Sequence, residues 1–201
     1  MNPYACAGWS NPQNPWSIND VPWRPTALNP PTFGALPPQT QPTSFRDFEF
    51  RFVHQNVLNC DVIGPKDLKY FEIRTIGERT TISRSNGCLA IISWTLKPTL
   101  EFMAGCARVN QKINSFLSLS SDTMYRTMHF EGKTYAWLQR QSGDYFMYAY
   151  GSNPLENLVQ ICRSTDGTKV VLKMKSEAFQ AGLIEPCTLA TILLLSGFDI
   201  D

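Results

Sequence analysis

The stretch at residues 189–195, with the sequence LATILLL, decides the fold of this protein. Pro186 precedes it at a position that suits the first turn of a helix, and Gly197 follows at a position that suits a left-handed helix end. The segment between them is apolar on every side, whereas a helix on the surface of a domain carries a polar stripe. The sequence therefore predicts a C-terminal helix that is enclosed by protein.

Two other structures compete for this segment. A membrane span does not fit, because residues 186–196 would form a helix of roughly 16 Å at about 1.5 Å per residue, against roughly 30 Å of hydrocarbon. A short buried strand fits the composition, but the flanking Pro186 and Gly197 favour a helix.

The sequence upstream of this segment alternates apolar and polar residues with the period of a strand. Phe48, Phe50 and Phe52 share one predicted face, and Glu49 and Arg51 share the other. Further alternating runs occupy residues 70–74, 124–131 and 169–175. These runs predict half-buried strands that pack one face on a core.

Turn signals separate the runs. The pairs Asn86-Gly87 and Asp166-Gly167 predict tight type I′ hairpins, and Glu131-Gly132-Lys133 and Ser142-Gly143-Asp144 predict slightly longer loops. Short strands with frequent turns indicate an antiparallel sandwich or barrel. A helix threaded through the sheet would fill a barrel, and closure would remove its edges. The expected fold of residues 45–201 is therefore mainly β, a closed antiparallel β-barrel around a buried C-terminal hydrophobic α-helix.

Residues 1–44 have a different composition. They hold ten of the fourteen prolines and only two charged residues, so they predict a disordered or polyproline-like tail. Trp9, Trp16 and Trp23 recur in it at intervals of seven residues. This spacing predicts a linear motif that docks on an unknown protein partner or on the barrel, unless it is a chance spacing.

Charge and cysteine usage limit the function classes. Lys and Arg number 18 against 17 for Asp and Glu, a balance that argues against a nucleic-acid partner. The start of the chain lacks the basic and apolar regions of a secretory signal, so we expect a cytoplasmic protein, with the nucleus or a membrane surface as alternatives. The six cysteines are spread singly without a CxxC pair, which predicts buried free thiols and neither metal nor cofactor.

Three stretches carry a resemblance to a known family. Residues 48–52, 57–65 and 70–75 resemble the opening of a domain of unknown function that is common in basidiomycete fungi, and Trp94 ends an aliphatic strand like one in that family. That family is similar in outline to tubby-like domains, including LURP-one-related proteins and phospholipid scramblases. The resemblance implies a closed barrel around a C-terminal helix. It implies no phosphoinositide or calcium site here, because the ligand residues have no match in this sequence.

A basic strip is the first candidate site. Lys169, Lys173 and Lys175 share a predicted strand face, and Arg163 would lie across the Asp166-Gly167 turn. Clustered cations of this kind bind anionic lipid headgroups or phosphate. The alternative is an ordinary solvated face of a strand.

Two other residue sets were candidates for chemistry. An aromatic platform for sugars or bases would use residues on adjacent strands, although core packing uses them more often; the set is Tyr135, Trp137, Tyr145, Phe146, Tyr148 and Tyr150. A cysteine nucleophile needs a base within reach, and Cys60 has His54 six residues before it, with His129 as another candidate. No third, orienting group is evident.

The sequence therefore favours a non-enzymatic binding or scaffold domain that contacts a protein or an anionic lipid surface. A barrel that carries an apolar ligand, as lipocalins do, is the first alternative, and it requires an empty interior. A cysteine-dependent enzyme is the second alternative. The position of the C-terminal helix separates the first two, because a helix inside the sheet leaves no room for a ligand.

Overall fold

The computed structural model describes residues 45–54, 56–104, 107–152, 156–164 and 166–201. The predicted tail at 1–44, with Trp9, Trp16 and Trp23, lies outside the described residues, as do Cys6 and Cys106.

Among the described residues, thirteen strands form one antiparallel sheet in which every strand pairs with its chain neighbours, except that β7 and β8 do not pair and β1 also pairs with β13. In space the order runs β7-β6-β5-β4-β3-β2-β1-β13-β12-β11-β10-β9-β8. The strands are β1 Phe45–Phe52, β2 Cys60–Ile63, β3 Lys69–Ile76, β4 Arg79–Arg84, β5 Gly87–Ser93, β6 Thr99–Ala104, β7 Ala107–Lys112, β8 Leu117–Leu119, β9 Tyr125–Phe130, β10 Lys133–Gln139, β11 Tyr145–Ala149, β12 Asn157–Arg163 and β13 Val170–Lys175.

Three α-helices interrupt or follow the strands. Within the described residues they are α1 Ile113–Phe116, α2 Ser176–Gln180 and α3 Ile184–Leu195, and a 3-10 turn covers Pro65–Asp67. No helix within the described ranges is long and apolar enough to cross a membrane.

The predicted C-terminal helix is confirmed as α3. It begins two residues before Pro186, and Gly197 follows its end with a φ of 77°. Residues 186–193 are all buried, as the absence of a polar stripe requires. Two buried threonines satisfy their hydroxyls within the helix, because Thr188 donates to the carbonyl of Ile184 at 2.8 Å and Thr191 to that of Cys187 at 2.7 Å.

The apolar faces of the strands pack around this helix. In β1 the side chains of Phe48 and Phe50 are buried while Arg51 is exposed, as the alternation predicts. In β13 the side chains of Val170 and Leu172 are buried in the same way. One core therefore holds α3 and the inner faces of the strands together.

The prediction of a closed barrel is wrong. Among the described residues, β7 and β8 end the sheet order and do not pair with each other. The chain between them forms α1, whose Ile113 and Phe116 are buried. Burial of these two apolar side chains stabilises a helical turn at this point, and no β7–β8 ladder forms among the described residues. We call the gap between β7 and β8 the seam.

The positions of the tight turns also differ from those predicted. Asn86 does not have a positive φ, and the Asp166-Gly167 pair sits in a loop between Arg163 and Val170 that is too long for a two-residue hairpin. The type I′ geometry occurs instead at Glu131-Gly132, where φ is 48° and 73° and the flanking strands pair directly. Register, which local dipeptides do not specify, decides between these turns.

Candidate functional site

A cleft of about 470 Å³ lies at the seam. Its walls come from β5, β6, β7 and α1 on one side and from β9 and its turn on the other, and the first turns of α3 contribute to the same wall. The apolar residues that line it are Leu89, Phe102, Met103, Phe116, Phe130, Pro186 and Leu189. We call this space the seam cleft.

The aromatic walls follow from the strand pattern. Phe102 faces inward from β6 and meets Phe116 of α1, with ring centroids 6.1 Å apart and planes inclined by 56°. Phe130 is the last residue of β9 and is half-buried. Three aromatic rings therefore face one small space, because α1 turns the chain inward at the point where β7 ends.

Five polar side chains complete the lining, namely Gln111, Ser115, His129, Glu131 and Glu185. His129 shares a hydrogen bond between its Nδ1 and the hydroxyl of Thr134 at 2.9 Å. Glu185 forms an ion pair with Arg84, a residue 101 positions away in the chain. Both groups therefore have a protein partner.

Glu131 is different, because its carboxylate has no hydrogen bond or ion pair with any described residue. The left-handed turn at Glu131-Gly132 places it at the cleft. Its charge also acts on the buried Tyr135. The pKa of the Tyr135 hydroxyl is raised first by burial, then by the neighbouring Cys187 and by Glu131. The seam cleft therefore has an apolar body and one unbalanced negative charge.

Among the described residues that line the cleft, no side chains form a hydrogen-bonded Ser-His-Asp triad or Cys-His pair. Within the same described ranges, no three His, Cys, Asp or Glu side chains come together as ligands for a metal ion.

The predicted basic strip is not assembled as expected. Lys175 is buried, and its ammonium group donates to Glu156 at 2.7 Å. Arg163 lies opposite Val170 in the β12–β13 register, so its side chain starts from the inner face of the sheet. The predicted strip of four cations is therefore wrong for Lys175 and Arg163, because Lys175 is itself buried and paired with the exposed Glu156, and register puts Arg163 on the other face.

Two members of the strip keep their predicted position. Lys169 is exposed beyond the start of β13. Lys173 lies on the outer face opposite Gln160 and Asp47, so one of its neighbours carries negative charge. Arg163 instead lines a second cleft of about 370 Å³, near the end of α3.

The aromatic set does not form one platform. Tyr135 and Trp137 face inward from β10 and are buried. Phe146 and Tyr148 alternate with the buried Met147 and so lie on the outer face of β11. Core packing accounts for the buried members, as the more common use of such residues suggests.

The Cys60 site also lacks the properties of a nucleophile. The thiol of Cys60 is buried and donates to the carbonyl of Val57 at 3.1 Å. Burial first, and the charge of Asp61 second, raise the pKa of Cys60 to about 12, against a smaller lowering by Arg74. Since the thiolate is the nucleophile, Cys60 stays unreactive at neutral pH, and burial raises the pKa of Cys187 in the same direction.

Sequence reasoning missed Glu131, Phe116 and Gln111 as site residues. The sequence could have indicated Glu131, since a glutamate before Gly132 at the end of an alternating run predicts an exposed turn. Phe116 and Gln111 had none, because their importance depends on the failure of β7 and β8 to pair.

No family model matches this chain, and no curated protein matches it. Among solved structures, an X-ray structure of a protein from Arabidopsis thaliana is similar to it, with 10% sequence identity and a TM-score of 0.37. The match covers 74% of this chain and 93% of the Arabidopsis chain. A likeness this weak carries no conclusion about ligand or activity.

Proposed function

We propose that this protein is a non-enzymatic binding domain whose site is the seam cleft. Its ligand is a small molecule with an apolar, flat body and one positively charged group. The observation that carries the proposal is the unpaired carboxylate of Glu131 beside a cleft lined by aromatic rings.

Size and lining support this ligand class. Pockets for small molecules have volumes of about 300–1,000 Å³ and are mostly apolar with a few polar groups. The seam cleft, at about 470 Å³ and with seven apolar residues in its walls, falls in this range.

Charge supports a cation over an anion. Glu185 is already balanced by Arg84, whereas Glu131 is not balanced by any described side chain. The faces of Phe102, Phe116 and Phe130 attract cations through their ring quadrupoles. An anionic headgroup would gain neither interaction in this cleft.

The other candidate functions have less support. An anionic lipid surface would have to be bound by Lys169 and Lys173 alone, since Lys175 is paired with Glu156. A lipocalin-like ligand needs an interior that the buried α3 occupies. Docking of an unknown partner by the Trp-containing tail stays a prediction, as does membership of the fungal family with a tubby-like fold.

The proposal is tested with three probes that share an indole body: tryptamine, which is a cation, 3-methylindole, which is neutral, and indole-3-propionate, which is an anion. In calorimetric titration, tryptamine should bind most tightly, 3-methylindole more weakly, and indole-3-propionate most weakly. Glu131→Gln should weaken tryptamine binding about threefold and leave methylindole binding unchanged, because Glu131 is exposed and an exposed ion pair contributes about 0.2–1 kcal/mol.

Glu78→Gln is the matched control, since Glu78 is an exposed glutamate outside the cleft. It should bind all three probes like the wild type. Equal binding of tryptamine and indole-3-propionate, or equal effects of the two substitutions, would remove the proposal.

A further inference from the structure

One edge of the sheet is open to another strand. β7, Ala107–Lys112, ends the sheet order and has β6 as its only strand partner among the described residues. Strand β8, at the other end, has only the three residues Leu117–Leu119. β7 is therefore the longer of the two free edges.

The register assigns each backbone group of β7 to one side. The N–H of Ile113 donates to the carbonyl of Pro98 at 3.2 Å, and the register places Lys112 opposite Thr99 without a shift along the strand. Hydrogen-bonded and non-hydrogen-bonded pairs alternate along an antiparallel ladder. The backbone groups of Val109 and Gln111 therefore point to β6, and those of Arg108, Asn110 and Lys112 point away from it, to the free edge.

The side chains of β7 alternate as well. Val109 and Gln111 are half-buried, and they lie opposite Phe102 and Leu100 on the inner face. The side chains of Arg108, Asn110 and Lys112 are exposed on the outer face. A strand added to this edge would therefore place alternate side chains beside the apolar wall and in solvent.

Charge identifies the partner. Arg108 pairs with Glu101 at 2.8 Å but its side chain is 64% exposed, and Lys112 has no ion-pair partner among the described residues. A second copy of β7, paired antiparallel about Asn110, would put Arg108 opposite Lys112, and like charges directly opposite are destabilising. Basic residues on an edge discourage this self-association, whereas acidic residues on an added strand would be attracted to them.

We propose that β7 binds an extended segment of a partner protein as an added β-strand, with apolar side chains on the inner face and acidic side chains on the outer face. Main-chain hydrogen bonds to Arg108, Asn110 and Lys112 supply the affinity, and the alternation supplies the specificity. This interaction goes beyond the proposed small-ligand function, since it requires the edge and not Glu131.

The first test uses the full chain and a six-residue peptide of alternating glutamate and valine, with blocked ends. In the free protein, amide hydrogens of Arg108, Asn110 and Lys112 should exchange fast, while those of Val109 and Gln111 are protected. The peptide should slow exchange at the first three amides only. A peptide of alternating lysine and valine should bind about fivefold more weakly, because its lysines would replace two exposed ion pairs with Arg108 and Lys112 by repulsions.

The second test changes a single donor. Asn110→Pro removes the N–H that points to the free edge and leaves the bonds to β6, so an edge strand tolerates it. It should weaken peptide binding about tenfold, because one hydrogen bond is lost and the ring blocks the incoming strand. Asn110→Ala keeps the N–H and should bind like the wild type.

A second variant on the peptide side guards against a misfolded protein. N-methylation of the glutamate residues of the peptide removes the backbone N–H groups that would donate to β7, and the protein itself is unchanged. The methylated peptide should not bind to the wild type. Equal affinity of the methylated and unmethylated peptides, or no binding of the glutamate–valine peptide at millimolar concentration, would overturn the proposal. Tryptamine binding should be unchanged by Asn110→Pro, and peptide binding unchanged by Glu131→Gln, so each proposal can fail alone.

Discussion

The indole ring of Trp94 and the phenyl ring of Phe198 are stacked, with centroids 4.5 Å apart and planes inclined by 19°. Trp94 directly follows β5, and Phe198 lies three residues after the end of α3. The stack therefore joins the segment that leaves the central helix to the sheet. It also covers the indole, so that Trp94 is only 7% exposed and its N–H needs a partner inside the protein.

Thr80→Val should destabilise the domain, because that partner is the Thr80 hydroxyl. The indole N–H of Trp94 donates to Thr80 at 2.7 Å, and the Thr80 and Thr75 hydroxyls lie 2.7 Å apart. Thr75 in turn donates to the carbonyl of Leu58 at 2.8 Å. Valine leaves a buried donor unpaired, at a cost of about 1–3 kcal/mol, measurable by urea unfolding. Thr80→Ser keeps the hydroxyl and should lower the free energy of unfolding clearly less. Equal losses for the two variants would refute the role of these hydrogen bonds.

Leu193→Asp should prevent stable folding. Leu193 is 2% exposed on α3, and an unpaired charge there costs several kcal/mol, about as much as a domain of this size has to lose. Circular dichroism should show loss of the cooperative thermal transition. Leu96→Asp is the control, since Leu96 is fully exposed. If both variants melt like the wild type, α3 is not enclosed.

Gly64→Ala should destabilise through steric overlap alone. Its φ of −101° suits any residue, but an added Cβ would lie 2.4 Å from Cε2 of Tyr70 and 2.9 Å from Cε1 of Phe48. Those two rings pack edge to face at 5.1 Å and cannot both move, so we expect a loss of about 1–3 kcal/mol. In a Tyr70→Ala background the same change should cost less; strict additivity in a double-mutant cycle would contradict the overlap.

Acid should weaken the attachment of the C-terminal segment. Hydrogen bonds from Arg126, at 2.8 and 2.6 Å, lower the pKa of Asp201, and burial opposes this only in part. A carboxyl with a lowered folded-state pKa stabilises the fold above its unfolded pKa of about 3.9. This contribution is lost as the pH falls through the folded-state value.

Asp201→Asn therefore tests the pair. It should cost about 1 kcal/mol or less at pH 7, because the carboxylate is partly exposed and solvent screens the pair. The difference in unfolding free energy between variant and wild type should shrink as the pH falls below about 4. A constant difference from pH 7 to pH 2 would show that the ion pair contributes nothing.

Thiol labelling should separate the cysteines by burial. Cys88 is exposed, whereas Cys60 and Cys187 are buried with raised pKa values. Iodoacetamide at pH 8, followed by site-resolved mass spectrometry, should label Cys88 in the folded protein and the other two only after unfolding. Fast labelling of Cys60 in the folded state would revive the cysteine-dependent enzyme.

The sequence determined the parts of this protein that depend on one element and its solvent. The apolar surface of α3 on all sides, between Pro186 and Gly197, required burial wherever the helix lay. In β1 the alternation of Phe48 and Phe50 with charged residues determined which face packs inward.

Only the tertiary structure decided what depends on two distant elements. Whether β7 meets β8 depends on how the elements of the sheet pack together and on the burial of Ile113 and Phe116, so no local pattern reports it. The sequence alone predicts an exposed Lys175, and only the structure shows its ion pair with Glu156. The seam cleft likewise depends on elements that are distant in the chain. Periodicity encodes the direction in which a side chain points, but long-range packing decides which residues it contacts.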